Sequence, residues 1–163
     1  MRDARGIAEP EPRNRRLCTL GFCAALLFGS AVLSAQTPAF GPKLSPLCTP
    51  DSHTLCLDSS RFSVTADYQQ TADGPSIQAT AVTLTDATGY FWFFDSSNVE
   101  LIVKVLDGCA LNGHYWVFAA GLTNVGVHMV VTDMRTGTQH PYDNPVGTAF
   151  APIQDTTAFS TCP

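Results

Sequence analysis

An all-β fold, an antiparallel β-sandwich, is what this sequence predicts, and three observations predict it. Short segments alternate apolar and polar residues with a period of two, as half-buried strands do. Turn-forming residues (Asp73-Gly74-Pro75, Asp107-Gly108, Asn112-Gly113, Asp133 to Gly137, Asn144-Pro145) break the chain at short, regular intervals. After the N-terminal segment, no stretch of three turns carries the 3.6-residue period of an amphipathic helix.

The chain opens with a segment unlike the rest. Residues 2–16 hold five arginines (Arg2, Arg5, Arg13, Arg15, Arg16), and an apolar run, LCTLGFCAALLFGSAVLSA, follows from Leu17 to Ala35. A basic segment, a short apolar core and a small-residue exit form the layout of a secretory signal peptide. Residues 1–35 are therefore expected to be a signal peptide cleaved near Ala35. A retained anchor is the alternative, since the run is at the lower length limit for a membrane span. Residues 36–47, with three prolines, a glycine and no periodicity, read as a linker. Residues 48–163 are the β-domain.

Removing residues 1–35 leaves four basic residues (Lys43, Arg61, Lys104, Arg135) against eleven acidic ones, a formal charge of −7. Nothing remains of a basic patch, so a nucleic-acid partner is not expected. Four cysteines stay: Cys48, Cys56, Cys109 and Cys162. An even number in an exported chain reads as a disulfide framework, and four allow three pairings. Spacing favours Cys48–Cys56 as a local clip and Cys109–Cys162 as a pin on the C-terminal tail. The second closes a loop worth on the order of 4 kcal/mol in the chain-entropy view. No cysteine pair has C-x-x-C spacing and no histidine clusters with them, so neither a metal nor another cofactor is expected.

The strands are expected in sequence. Arg61–Tyr68 alternates cleanly, with Phe62, Val64, Ala66 and Tyr68 on the apolar face and Arg61, Ser63, Thr65 and Asp67 on the polar one. Residues 77–84 alternate more weakly. Tyr90–Phe94 is a run of five aromatics. Residues 99–106 place Val99, Leu101, Val103 and Val105 inside. Residues 114–119 and 125–132 are two further strands, and 139–143 is a short edge strand in which Pro141 is tolerated. Consecutive strands from Val99 onward should pair as a meander. The sum is seven or eight strands, immunoglobulin-like only loosely, because the Cys…Trp…Cys spacing of true immunoglobulin domains is missing.

The strings CTPDSHTLCLDSSRFSVTADY, TGYFWFFDSSNVELIVKVLDG, NGHYWVFAAGLTNV, VTDMRTG and NPVGTAFAPIQDTTAFSTCP resemble a β-domain that recurs in bacterial secreted proteins, often at the C-terminal end of a longer chain or in repeats. The similarity spans Cys48–Pro163. This chain has Tyr68 where that family usually has Trp, and Gly126 where it has an acidic residue. The resemblance implies a β-fold, export and disulfides, and it implies no particular activity.

Catalytic patterns are faint. No G-x-S-x-G occurs, and His53, His114, His128 and His140 are scattered. Glu100 should be a solvent-facing strand residue. Asp95 and Asn98 have the composition of a turn rather than of a calcium loop.

The aromatics are the most unusual feature. Period two puts Tyr90, Trp92 and Phe94 on one face and Phe91 and Phe93 on the other. A sandwich strand has one wet face, so one set needs a cover. Trp92 and Phe94 are expected in the core, with Phe91 and Phe93 under the tail that runs to Cys162. The competing expectation is an aromatic binding surface drawn from Tyr90, Phe91, Phe93, Tyr115 and Trp116. The function expected from all this is that of a secreted or periplasmic, non-enzymatic module for binding or surface structure. Its partner would be an extracellular protein or a glycan, with no membrane association once the leader is removed. Carbohydrate or small-ligand binding through the aromatics is the alternative, and a secreted hydrolase or inhibitor comes third.

Overall fold

The computed structural model describes residues 47–163; the expected signal peptide and nearly all of the expected linker lie outside the described residues. The described residues form ten strands and one helical turn: β1 (Thr54–Leu57), β2 (Phe62–Gln69), β3 (Ile77–Gln78), β4 (Thr80–Thr85), β5 (Thr88–Trp92), β6 (Leu101–Asp107), α1 (Cys109–Asn112), β7 (Tyr115–Gly121), β8 (Gly126–Asp133), β9 (Thr138–Asn144) and β10 (Ile153–Phe159). They make two five-stranded antiparallel sheets. Sheet A has the order β1-β2-β8-β9, with β3 also paired to β2, and sheet B has the order β10-β7-β6-β5-β4. The fold is the expected β-sandwich. Among the described residues no helix is long and apolar enough to cross a membrane.

The meander expected from Val99 onward is interrupted. The β6–β7 and β8–β9 hairpins form, but β7 leads across to sheet A, where β8 pairs with β2, and β10 returns to pair with β7. The segment expected to be a tail is thus largely an edge strand. The weak alternation of residues 77–84 also has a cause. The chain changes sheets at buried Ala79, whose N–H still donates to Ala66 of β2 (2.8 Å) before β4 joins β5.

Alternation builds the core as read for β2 and for Leu101, Val103 and Val105 of β6, and it extends to β7 and β8. Phe62, Val64, Ala66 and Tyr68 face Leu101, Val103, Val105 and Val117, and Val127, Met129 and Val131 complete the layer. Pro141 sits in the edge strand β9, where its missing N–H costs no ladder bond with a further neighbour. The open sides are bridged. On one, the Nδ1 of His53 and the carbonyl of Ala79 lie 2.9 Å apart and Ala81 N–H reaches Ser52 (2.9 Å). On the other, the Tyr142 hydroxyl of β9 donates to Asp155 of β10 (3.0 Å), and His140 packs edge-on to Phe159. Burial, then the negative Asp155, raises the Tyr142 phenol well above its ordinary range, so it stays a donor at all physiological pH.

Arg61 departs from the sequence reading. It was expected on the polar face of its strand and is buried, 3% exposed. It precedes β2, where the chain emerges from a turn of three left-handed residues, Asp58, Ser59 and Ser60 (φ 52°, 54° and 63°). That turn costs backbone energy. It is held by Asp86, whose carbonyl and carboxylate accept from the N–H groups of Asp58 (2.7 Å) and Ser59 (2.9 Å). The altered path swings the guanidinium inward. It donates to Asp133 through Nε (3.3 Å) and Nη2 (2.8 Å), to the Tyr115 hydroxyl (2.5 Å), and to the Thr161 carbonyl and hydroxyl. Its carbon lies 4.0 Å from the Tyr115 ring centroid.

Both expected disulfides form, Cys48–Cys56 and Cys109–Cys162. Cys109–Cys162 ties the last residues to α1, which keeps Thr161 against Arg61 and Asp133. Such bonds persist in oxidising compartments, so the domain is suited to an extracellular or periplasmic setting.

Removing one partner of a fully buried ion pair strands the other, so Arg61→Met should cost about 3–5 kcal/mol of unfolding free energy in urea melts. The double change Arg61→Met with Asp133→Leu should recover much of that loss. A double variant no more stable than the single one would show that the cluster's other bonds dominate.

Acid should act through the same group. Burial opposes the charged form of Asp133, but hydrogen bonds from Arg61, Thr161 and the Arg135 N–H, together with the Arg61 charge, outweigh it and hold the carboxyl below its ordinary 3.8. A depressed folded value means stability that is present above the ordinary value and lost as pH falls through the lower one. The stability gap between wild type and Asp133→Asn, measured by melting, should therefore narrow steadily below about pH 4.

Candidate functional site

Period two decides which aromatics can meet a ligand, and here the structure reverses several expectations. Phe91 is 0% exposed and Phe93 5%: both are core residues. Phe93 stacks on Tyr68 (centroids 4.6 Å, planes 6° apart), and the Tyr68 hydroxyl donates to the Phe93 carbonyl (2.8 Å). The cover of Phe91 and Phe93 is the opposite sheet rather than the tail, because Phe91 pairs with Leu101 on the inner face of β6. Tyr115 is also buried, committed to Arg61 and Phe62. Phe91, Phe93 and Tyr115 are therefore removed from the expected surface. Trp92 and Phe94, expected in the core, are not there. Trp92 is half-buried on the outer face of sheet B, and Phe94, beyond the end of β5, is 50% exposed.

Tyr90 and Trp116 do lie on the outer face of sheet B, and the register brings unexpected neighbours to them. Val82, Tyr90, Ile102 and Ala120 form one row across four strands. Thr88, Lys104, Phe118 and Gln154 form the next. Leu106 pairs with Trp116 beyond that row, and Thr80 with Trp92 at the other end. The inward partners, Leu101, Val103, Val105, Val117 and Ala119, fill the core. Outward alternation thus leaves four aromatic rings on the same face as one ammonium.

Each ring is set by local chemistry. Trp116 donates from Nε1 to the Asn112 side chain (2.8 Å), and Asn112 in turn donates to the Thr156 carbonyl of β10 (2.8 Å). Asn112 is presented by α1, which ends at Gly113 in the left-handed conformation (φ 75°). The indole lies flat over Gly108, where an added Cβ would stand 2.3 Å from the ring. Phe118 meets Trp116 edge-on (6.3 Å), and the Lys104 ammonium sits 5.1 Å from the Phe118 centroid. Beside Lys104 a groove of about 330 Å³ is lined by Thr88, Ile102, Phe118, Pro152 and Gln154.

Depressions also lie elsewhere on the described residues. The loop-end hollow, about 560 Å³, is bordered by Phe94, Leu122 and Phe150. Glu100, expected to face solvent, is buried there at 5% exposure. The strand begins only at Leu101, and in the preceding loop Asn98 donates to the Glu100 carboxylate. Asp95 accepts from the Ser97 N–H (2.8 Å) and hydroxyl (2.6 Å), which are turn bonds; these lower its carboxyl value, the hydroxyl bond most. The third hollow, on sheet A, carries the cross-strand row Asp67, His128, Asp143, in which His128 and Asp143 are 2.6 Å apart and exposed. The remaining histidines have separate partners: His53 with Ala79, His114 with Asn112, His140 with Phe159. Among the described residues no three His, Cys, Asp or Glu side chains converge as metal ligands.

No family model, curated protein or solved structure matches the chain.

The expected aromatic surface did not include Ile102, Lys104 or Phe118. Alternation of 99–106 already assigned Lys104 outward, but only the β6–β7 register sets it beside Phe118.

The reversal of the aromatic strand is directly measurable. Phe91→Ala should cost about 3–5 kcal/mol, as truncation of a large core ring does. Trp92→Ala should cost about 1 kcal/mol or less. Paired chemical-denaturation curves check both, and the opposite order would return Trp92 to the core.

Proposed function

We propose that the protein is an exported, non-enzymatic binding module and that the outer face of sheet B is the surface it binds with. One observation carries this reading: Tyr90, Trp92, Trp116 and Phe118 share the outer face of one sheet with a single ammonium and a groove. Outward aromatic rings on a rigid sheet are costly to leave in water, and a contiguous set of them marks interaction surfaces. The groups lining the groove are rings, hydroxyls, an amide and an ammonium, a set suited to holding a ligand rather than cleaving one.

Export through a leader ending near Ala35, a bacterial source and kinship with the secreted β-domain that residues 48–163 resemble belong to the same proposal. The two disulfides support it, since they call for an oxidising compartment. A loose immunoglobulin-like relation also belongs here, supported by two packed antiparallel sheets. The partner is an extracellular protein or a glycan.

Both tryptophans of the chain lie on this face, so its own fluorescence reports on it. Titration of the purified, oxidised protein with a glycan panel and with envelope-protein fractions should give a ligand that shifts tryptophan emission. The double variant Trp92→Ala/Phe118→Ala, folded by circular dichroism, should bind that ligand at least tenfold more weakly, as expected on losing two central aromatic contacts. A ligand that binds this variant as tightly as wild type would place the site elsewhere.

A further inference from the structure

Charge separates the outer face of sheet B from the rest of the protein. Counting from residue 36, eleven carboxylates stand against four basic side chains. Yet the outward residues of the described sheet B rows, from Thr80 and Trp92 through Tyr90 and Lys104 to Trp116, include Lys104 and no acid. The nearest acids in sequence are engaged elsewhere: Glu100, buried before β6, with Asn98; Asp107, at the end of β6, with Cys109 N–H (2.8 Å); Asp155 of β10 with the Tyr142 hydroxyl (3.0 Å); and, in turns, Asp86 with Ser59 N–H (2.9 Å) and Asp95 with Ser97 (2.8 Å). Arg61 is locked against Asp133, so Lys104 and Arg135 are the exposed cations among the described residues, and Arg135 lies in the β8–β9 turn. Sheet A presents the contrary face, with Asp67 and Asp143 flanking His128.

The rings also have a direction. Trp92 ends β5 and Tyr90 sits at its middle, while Phe118 and Trp116 lie two strands away and displaced along β7, with Lys104 on the strand between. Strand rise and spacing give a diagonal of about 22 Å from Trp92 to Trp116. That is a stripe for an extended ligand presenting repeated apolar faces. The groove beside Lys104, with the Gln154 amide and Thr88 hydroxyl, falls midway along it.

We infer that the occupant is an extended acidic polysaccharide, whose sugar rings stack on the aromatic stripe and one of whose carboxylates meets Lys104. The inference rests on the binding face proposed above. Sugar rings offer apolar C–H faces to the aromatics and hydroxyls to Gln154 and Thr88. The carboxylate is specified by the acid-free face and its single ammonium. The carboxylates of sheet A do not oppose it, because their field is screened within about 8 Å at physiological ionic strength.

Calorimetry and tryptophan fluorescence with the purified, oxidised protein test this, using polygalacturonate and the same polymer with its carboxyls reduced to alcohols. Lys104 is exposed, so Lys104→Gln keeps the fold. Expected are tighter binding of the acidic polymer, a loss of about tenfold in that affinity for Lys104→Gln, and no effect of Lys104→Gln on the reduced polymer. Trp92→Ala should weaken binding of both. Equal affinities for the two polymers with Lys104→Gln silent would overturn the acidic specificity and leave the binding face standing. Binding of neither polymer, with tryptophan emission unchanged, would overturn the inference. The face itself would then be judged by the wider panel, through the Trp92→Ala/Phe118→Ala variant.

Discussion

The buried pair of Arg61 and Asp133 is the interaction on which the rest of the structure hangs. Arg61 leads into β2 and Asp133 ends β8, the central pair of sheet A. Tyr115, which completes the guanidinium's coordination, starts β7 in sheet B, and Thr161 belongs to the C-terminal tail. Four distant parts of the chain are thus brought to one charge. Such a charge is expensive to desolvate unless each of its donors finds an acceptor. The arrangement therefore specifies one geometry rather than a family of similar packings, and no buried side-chain polar atom among the described residues lacks a partner.

That requirement propagates to the outer face of sheet B. Thr161, which donates to Asp133, precedes Cys162, which is bonded to Cys109, and Cys109 opens the single turn that presents Asn112. Asn112 fixes the Trp116 indole and binds the β10 backbone. A core ion pair, a disulfide, a helical turn and a surface aromatic are consecutive links of one chain of contacts. The Trp116 end of the proposed binding stripe is held by the same bonds that close the C-terminal end of the domain, which lowers the entropy cost of holding that ring in place.

The two sheets divide the surface chemically. Sheet A presents hydroxyls and the Asp67, His128, Asp143 row, whereas sheet B presents rings and one ammonium. A sandwich needs only one apolar face per sheet, so the second apolar face of sheet B is surplus to folding. Surplus apolar surface that stays contiguous is retained at a risk of aggregation, which gives it the character of an interface.

Much was legible locally. Period two marked β2 and β6 with the right inner residues from Phe62 to Tyr68 and from Leu101 to Val105, turn chemistry separated the strands, Pro141 identified an edge, and cysteine spacing matched both bridges. These properties depend on neighbours in the chain, and a sequence displays those. The errors have a common physical source. Arg61 looked outward by alternation, but a left-handed turn before it redirected the chain. Glu100 looked outward because the strand was read from Val99, two residues before its start at Leu101. The run Tyr90–Phe94 presents aromatics to both faces, so composition could not say which face was inside. That choice was made by Leu101 opposite Phe91 and by Tyr68 beneath Phe93, contacts from other strands. The sequence by itself determined fold class, most strands and the disulfides, because these follow from periodicity and spacing; β1 and β10 were not read from it. The tertiary structure alone decided which aromatic face meets solvent and that Lys104 stands beside Phe118, because strand register and the pairing of sheets join residues that no local pattern connects.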